Sequence, residues 1–421
     1  MKKLVIYGSK KLKGEQYVQG SKNASLPIIV STILTNGKNI LKRCPNLNDT
    51  VNTCKILTML GCETKKHKNY LTVDTKNLYR FEISKYLMNT MRSSIIFLGA
   101  ILARCKEAIL YLPGGCAIGK RPIDFHISAL EKMGARIKIT GDKLHCTVKN
   151  NQLKGATIFL PFPSVGATEN IILAAVTAKG TTTIINAAIE PEIEDLCSFL
   201  VKCGAKIKIL KNQKQTIIIK GVTKLNPCEY EIMPDRIVAS TILCAAAATH
   251  GEVLLKSINK NHISHILEVL FSMGCSIKTY DDNKIFLKST EKLKAVKQIK
   301  TMPHPGFPTD LQPIVMALSC LCKGTTVFVE NIFENRFQHV NELKKFGALI
   351  EVKGRVAVTK GIPTLHAANV YATDLRAGAA LIVAACASNG ISKIYNIPYI
   401  DRGYEKVEEQ FFNLGANIFR K

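Results

Sequence analysis

Residues 112–126 read Leu-Pro-Gly-Gly-Cys-Ala-Ile-Gly-Lys-Arg-Pro-Ile-Asp-Phe-His and put one cysteine, Cys116, in a glycine-rich turn beside Lys120 and Arg121. The run 108–112 reads as a buried strand. Residues 123–133 read as an amphipathic helix, with Pro122 at its first position. A thiol between two such elements is accessible, and two nearby cations favour its thiolate. The chemistry on offer is nucleophilic or acid–base work at one sulfur. A turn with an incidental cysteine is the plainer alternative, because the chain holds fourteen cysteines in all.

The same turn carries a second pattern, Gly114-x-x-x-x-Gly119-Lys120, between a strand and a helix as a phosphate-binding P-loop requires. Arg121 then stands where a P-loop needs a Ser or Thr hydroxyl for magnesium, and no clear Walker-B partner follows. A P-loop nucleotide-binding protein is therefore the disfavoured reading.

The remaining cysteines argue for a reducing compartment. Cys54, Cys105, Cys244, Cys320 and Cys386 sit among apolar neighbours, where free cysteine behaves as a small hydrophobe. No pair has CxxC spacing, and Cys320-x-Cys322 alone is weak evidence for a metal site. The net charge of +26 suggests nucleic acid. The lysines, however, are spread along the whole chain, tryptophan is absent, and no nucleic-acid-binding motif appears, so nucleic acid is not the expected partner. The longest apolar stretch, 377–387, is too short to span a bilayer, and the N-terminal apolar run is too short for a signal peptide. A cytoplasmic protein without membrane insertion is expected.

These residues need elements to position them, and a repeat supplies the elements. Six times a helix ends in an apolar residue followed by Gly, then Ala or Cys, then a strand pattern. The glycines are Gly61, Gly134, Gly204, Gly274, Gly347 and Gly415, spaced by 73, 70, 70, 73 and 68 residues. Each glycine falls where a helix C-cap needs a left-handed residue. The period gives six units of mixed α/β (α+β) structure, dividing most simply into two pseudo-threefold domains of three units each.

Together the repeats and motifs resemble the enolpyruvyl transferases over nearly the whole chain. The matching segments are Gly20–Ala24, Pro113–Cys116, Arg121–Asp124, Ser164–Thr168, Pro234–Arg236, Pro303–Asp310, Glu334–Arg336, Thr373–Arg376 and Asp401–Glu405. The resemblance implies two inverse α/β domains with a cleft between them. Residues 22–232 would carry the Cys116 loop. Residues 1–21 and 233–421 would carry Asp310, Arg336, Arg376 and Arg402. The motifs are most similar to the branch that transfers the enolpyruvyl group of phosphoenolpyruvate to the 3-hydroxyl of UDP-N-acetylglucosamine, the first committed step of peptidoglycan precursor synthesis. The sister branch acting on shikimate 3-phosphate lacks the Gly-Gly-Cys loop.

The resemblance also implies roles. Lys22, Asn23, Arg121, Arg336, Arg376 and Arg402 would bind phosphoenolpyruvate, whose carboxylate and phosphate suit guanidinium forks. Asp310, after a proline-rich loop, would be the general base, with the N-cap of the following helix as its alternative role. Cys116 would be the acid or covalent ligand, and the target of an epoxide analogue of phosphoenolpyruvate. Asn23, Arg92, Arg121, Pro122, Ile123, Asp124, Phe125, Ser164, Val165, Gly166, Asp310 and Ile332 would hold the UDP-sugar. Catalysis would fall to Cys116, Asp310, Lys22 and Arg402, without metal or organic cofactor. The chain departs from the family pattern in two places. Val238 and Ser240 replace an expected carboxylate and glycine, and Lys120 replaces a small residue.

Overall fold

The structure is a computed structural model, and the residues it describes are 2–113, 122–281 and 283–421. They form two compact units. Described residues up to Gln19 and from Pro234 onward make one; those from Gly20 to Met233 make the other.

The sixfold repeat is the plan of both units. All six repeat glycines have positive φ, from 85° at Gly415 to 106° at Gly204, and five of the six strands that follow begin two residues later. The exception is Ala135–Thr140, which begins directly after Gly134. Each unit then builds small sheets around buried helices, three in the Gly20–Met233 unit and, in the other, three plus a two-stranded pair, Leu365–His366 with Ser388–Asn389. In the Gly20–Met233 unit one sheet orders its strands Glu229–Glu231, Lys38–Lys42, Tyr70–Asp74, Glu63–Lys66. The first pair is parallel and the rest antiparallel. The second sheet has three strands, Glu107–Tyr111, Lys143–Val148 and Ala135–Thr140, with Glu82 bridging Ile109 where a fourth would run. The remaining unit repeats the four-stranded pattern three times.

Helices that are apolar all round belong in a core, and six fill that role. Lys22–Ser31, Phe97–Cys105 and Val165–Ala175 centre one unit. Arg236–Ala248, Gln312–Ser319 and Leu375–Ala387 centre the other. Small residues let them approach closely. A Cβ on Gly99 would lie 2.3 Å from the Asn170 carbonyl oxygen, and one on Gly378 would lie 2.5 Å from Ile400. The apolar stretch 377–387 is one of these core helices. No helix among the described residues is long and apolar enough to cross a membrane.

Three local expectations need correction. The strand before the cysteine loop, Glu107–Tyr111, alternates buried and half-buried residues because only one of its faces meets the core. The next helix spans Asp124–Lys132 with Ile123 as N-cap, so Pro122 lies one residue outside the cap and not at the first helical position. Asp310 is not an N-cap residue: it sits inside a 3-10 turn, Thr309–Leu311, whose N-cap is Pro308, and the N-cap of the following helix is Leu311.

Candidate active site

Lys22 is the first residue of its helix, and the Ser21 hydroxyl accepts from Ala24 N at 3.3 Å to cap it. Ammonium and helix N-terminus therefore act in the same sense, both favouring an anion. Lys22 is pinned and not a solvated surface lysine: its Nζ lies 3.1 Å from an oxygen of buried Asp49, in the first turn of the helix Asn48–Met59. Asn23 follows, half-buried. Glu169 lies in the same electrostatic environment. Burial, then Glu192 and Glu190, raise its carboxyl well above the carboxylate range, and Lys22 pulls the other way.

Arg92 opens a 3-10 turn, and its Nη1 donates to the Pro113 carbonyl at 3.3 Å. It thus grips the chain where the cysteine loop departs. Cys116, Lys120 and Arg121 themselves lie outside the described residues. Beyond the loop, Pro122 and Asp124 are exposed, Phe125 is half-buried and Ile123 is buried. Ser164 is the N-cap of the helix Val165–Ala175, its hydroxyl accepting from Ala167 N. This leaves Val165 and Gly166 in the first turn, with backbone N–H groups of the kind that bind phosphate. Gly166 packs on His126, whose ring would lie 3.3 Å from any added Cβ. Burial pushes the His126 pKa down to about 4, with Arg92 adding to it. Asn170 Nδ2 donates to His126 Nδ1 at 2.7 Å, so the proton of the neutral ring resides on Nε2.

The other unit gathers its charged residues around Asp310. Arg376 reaches Asp310 Oδ2 through Nε at 2.9 Å and Nη2 at 2.8 Å. Arg336 Nη2 lies 3.3 Å from Oδ1 and also donates to the Thr309 carbonyl at 3.1 Å. Both arginines are buried. Burial works against the charge of Arg376, but Asp310, Tyr404 and Asp235 raise its pKa above the ordinary guanidinium value. Its Nη1 is buried and has no hydrogen-bond partner among the described residues. The expected base and two of the expected substrate arginines therefore form one cluster. Arg402 stands in the turn after Ile397–Ile400, half-buried, beside Asp401, which Arg420 holds through two hydrogen bonds. Ile332 is half-buried, so it is not simply core.

Several supporting residues had no assigned role in the sequence. Asp374 caps the Leu375–Ala387 helix through Arg376 N and Ala377 N and lies 3.8 Å from Arg336 Nη1. Glu330 is buried, accepts from Thr309 Oγ1 at 3.1 Å and from Ile332 N at 2.9 Å, and so ties the Asp310 turn to the Ile332 segment. An Asp directly before an apolar helix was a readable cap signal for Asp374 and equally for Asp235. Glu330, Asp49 and Glu169 carried no such signal. The departure at Val238 and Ser240 leaves its helix start intact: Asp235 caps Ile237 N and Val238 N, Val238 joins the core, and Ser240 bonds back to the Arg236 carbonyl.

Comparison with known proteins places the chain in a family. The profile of the family described as EPSP synthase (3-phosphoshikimate 1-carboxyvinyltransferase) matches residues 6–411. UDP-N-acetylglucosamine 1-carboxyvinyltransferase 2 of Caldanaerobacter subterraneus is 44% identical over 420 residues, covering 100% of both chains. The UDP-N-acetylglucosamine 1-carboxyvinyltransferase of Geotalea uraniireducens is 45% identical over 420 residues, 100% of this chain and 99% of its own. Among solved structures, the enolpyruvyl transferase NikO from Streptomyces tendae superposes with a TM-score of 0.89 at 23% identity, covering 100% of this chain and 99% of its own. An EPSP synthase from Acinetobacter baumannii gives 0.77 at 19%, covering all of both chains. These two likenesses concern the fold, whereas the sequence identities reach further. The chain belongs to the enolpyruvyl transferase family, in the branch of the UDP-N-acetylglucosamine 1-carboxyvinyltransferases.

Proposed function

We propose that the chain transfers the enolpyruvyl group of phosphoenolpyruvate to the 3-hydroxyl of UDP-N-acetylglucosamine and releases phosphate, in the cytoplasm, as part of peptidoglycan precursor synthesis. The observation that carries this reading is identity of 44–45% over the full length to enzymes named for that reaction.

In the first step the sugar hydroxyl gives its proton to Asp310 and its oxygen bonds to C2 of phosphoenolpyruvate, while C3 receives a proton. The product is a tetrahedral phospho-ketal. In the second step C3 gives up a proton, the double bond reforms and phosphate leaves from C2. Lys22, Asn23, Arg121, Arg336, Arg376 and Arg402 hold the phosphate and carboxylate. Asn23, Arg92, residues 121–125, Ser164, Val165, Gly166, Asp310 and Ile332 orient the nucleotide-sugar. Cys116 serves as the acid at C3 or as a covalent ligand.

The Asp310 cluster supports an ordering of events. With Arg336 and Arg376 on its two oxygens, Asp310 is charge-compensated. The anionic groups of phosphoenolpyruvate compete for the same guanidinium donors. A carboxylate that loses cationic neighbours becomes a better base, so Asp310 gains basicity as the donor substrate arrives. Of the residues proposed here, Lys22 and Arg92 belong to one unit and Asp310, Arg336, Arg376 and Arg402 to the other.

The test is phosphate release from phosphoenolpyruvate with either UDP-N-acetylglucosamine or shikimate 3-phosphate as acceptor. Release with the nucleotide-sugar alone is expected; release with shikimate 3-phosphate alone would overturn the acceptor. The cysteine is tested separately. An epoxide analogue of phosphoenolpyruvate should add once to the chain by intact mass, and Cys116→Asp should abolish the adduct.

A further inference from the structure

At the far end of the Lys22 helix from Lys22 itself, the Gly20–Met233 unit holds a cavity of about 510 Å³. Leu34 is twelve residues on from Lys22, roughly 18 Å at a helical rise of about 1.5 Å per residue, and it lines this cavity. The C-terminal ends of the helices Phe97–Cys105 and Val165–Ala175 open onto the same space, through Ala103 and Ala178. Four cations line it: Arg104, Lys106, Lys179 and Lys224. No lining residue is a carboxylate, and among the described residues none of the four cations is in an ion pair.

Cations near helix C-termini have an ordinary use, which is to satisfy the last carbonyls. Lys106 does this in part, since its Nζ donates to the Ala103 carbonyl. The charge count exceeds that need. Three helix ends contribute about −0.5 each, roughly −1.5 against four positive charges; Lys179 and Lys224 are exposed and partly screened by solvent, and the cavity still keeps a net positive charge.

The repeat supplies an independent observation about Lys106. The residue directly before the first long strand of each repeat is Gly37, Lys106, Gly180, Gly251, Gly324 and Gly390. Glycine holds this place five times in six, at positive φ in four. Lys106 adopts φ 68° there, a left-handed conformation that a side chain strains. Eleven other described non-glycine residues also have positive φ, so it is the departure from glycine at this place of the repeat, and not the conformation, that singles out Lys106. The lysine side chain here lines the cavity, half-buried, next to Arg104. Burial, with Arg104 adding to it against Cys105, draws the Lys106 ammonium below its ordinary pKa. An anion would relieve this.

We propose that this cavity binds a small phosphorylated molecule, with phosphoryl oxygens on Arg104 and Lys106 and further charge on Lys179 and Lys224. The net positive charge favours a phosphoryl or diphosphoryl anion, and the guanidinium fork of Arg104 suits its oxygens. The volume is that of a small-ligand site.

Inorganic pyrophosphate is the probe, titrated calorimetrically at low ionic strength into full-length protein saturated with UDP-N-acetylglucosamine. Wild type should bind it, and both Lys106→Gly and Arg104→Gln should weaken binding at least tenfold. Lys106→Gly relieves the left-handed strain, so it should melt no lower than wild type and keep its turnover. Lys206→Ala, which removes an exposed lysine outside the cavity, should bind as wild type does. No binding to wild type, affinity within twofold of wild type in both cavity variants, or equal weakening in Lys206→Ala would each overturn the proposal. The last result would assign binding to diffuse attraction by the +26 chain.

Discussion

Two buried histidines set the acid limit of the protein at the scale of single residues. His126 and His339 are both pushed down to about 4, burial being the first cause in each; at His339, Asp374 opposes it and Arg336 adds to it. The unfolded chain protonates histidine below about 6.5, but the native state resists until about 4. Stability is therefore complete above pH 6.5 and declines as pH falls toward 4, by at most roughly 3 kcal/mol per histidine. Denaturant melts from pH 8 to 4 should show this loss, and His126→Gln should remove about half of it. A pH profile that is the same in wild type and His126→Gln would mean that this ring is not held neutral. Lys22 offers a sharper test, because its structural and chemical roles separate. Lys22→Met should abolish turnover and also destabilise by about 3–5 kcal/mol, since it removes the cation beside the buried Asp49 carboxylate. Lys22→Met combined with Asp49→Leu should recover much of the stability and none of the activity. Recovery of both would demote Lys22 to a structural ion-pair partner.

Elements fix these residues through contacts that join distant parts of the chain. Asp195, on the helix Pro191–Lys202, accepts from Tyr230 Oη at 2.7 Å and from Met233 N at 3.1 Å, tying that helix to the segment ending the Gly20–Met233 unit. Burial raises Asp195 to about 6, although both hydrogen bonds oppose the shift. Its pH contribution thus runs against the histidines, stability from this group falling as pH rises from about 4 to 6. Asp195→Ala should cost about 1–3 kcal/mol in urea unfolding by leaving Met233 N unmatched and Tyr230 Oη with only the residue 195 carbonyl, and a loss below about 0.5 kcal/mol would show the tie to be dispensable. Much at this scale was legible beforehand. The glycine period located the six caps and the strands that follow them. Asp310, Arg336 and Arg376 were legible as a set because each lies in an ordered motif. Their mutual contact was not, since 66 residues separate Asp310 from Arg376 and no local pattern encodes the pairing. Glu330 and Asp49 were invisible for the same reason. A lone carboxylate in a strand end or a first helical turn reads as solvated until the fold brings its partners.

Over the whole molecule, the distribution of charge bears on how fast substrates arrive. The chain carries 58 Lys and Arg against 32 Asp and Glu, and both proposed substrates are anions. Field lines from such an excess raise the encounter rate of anions at any site that is itself cationic, and salt screens the effect over a Debye length of about 10 Å at 0.1 M. Steering acts on encounter and leaves the bound complex alone. It should therefore appear in kcat/KM for phosphoenolpyruvate and not in kcat. Raising ionic strength from about 10 to about 200 mM should lower kcat/KM by on the order of tenfold, with kcat changing less than about twofold. The dependence should be the same for potassium and sodium chloride, since screening does not depend on the cation's identity. Raising viscosity at low salt should slow kcat/KM further if encounter limits it. A kcat/KM that stays flat with salt would separate the basic surface from catalysis. The lysine excess would then be compositional, and any anion preference would have to come from built sites such as the Asp310 cluster and the Arg104–Lys106 cavity.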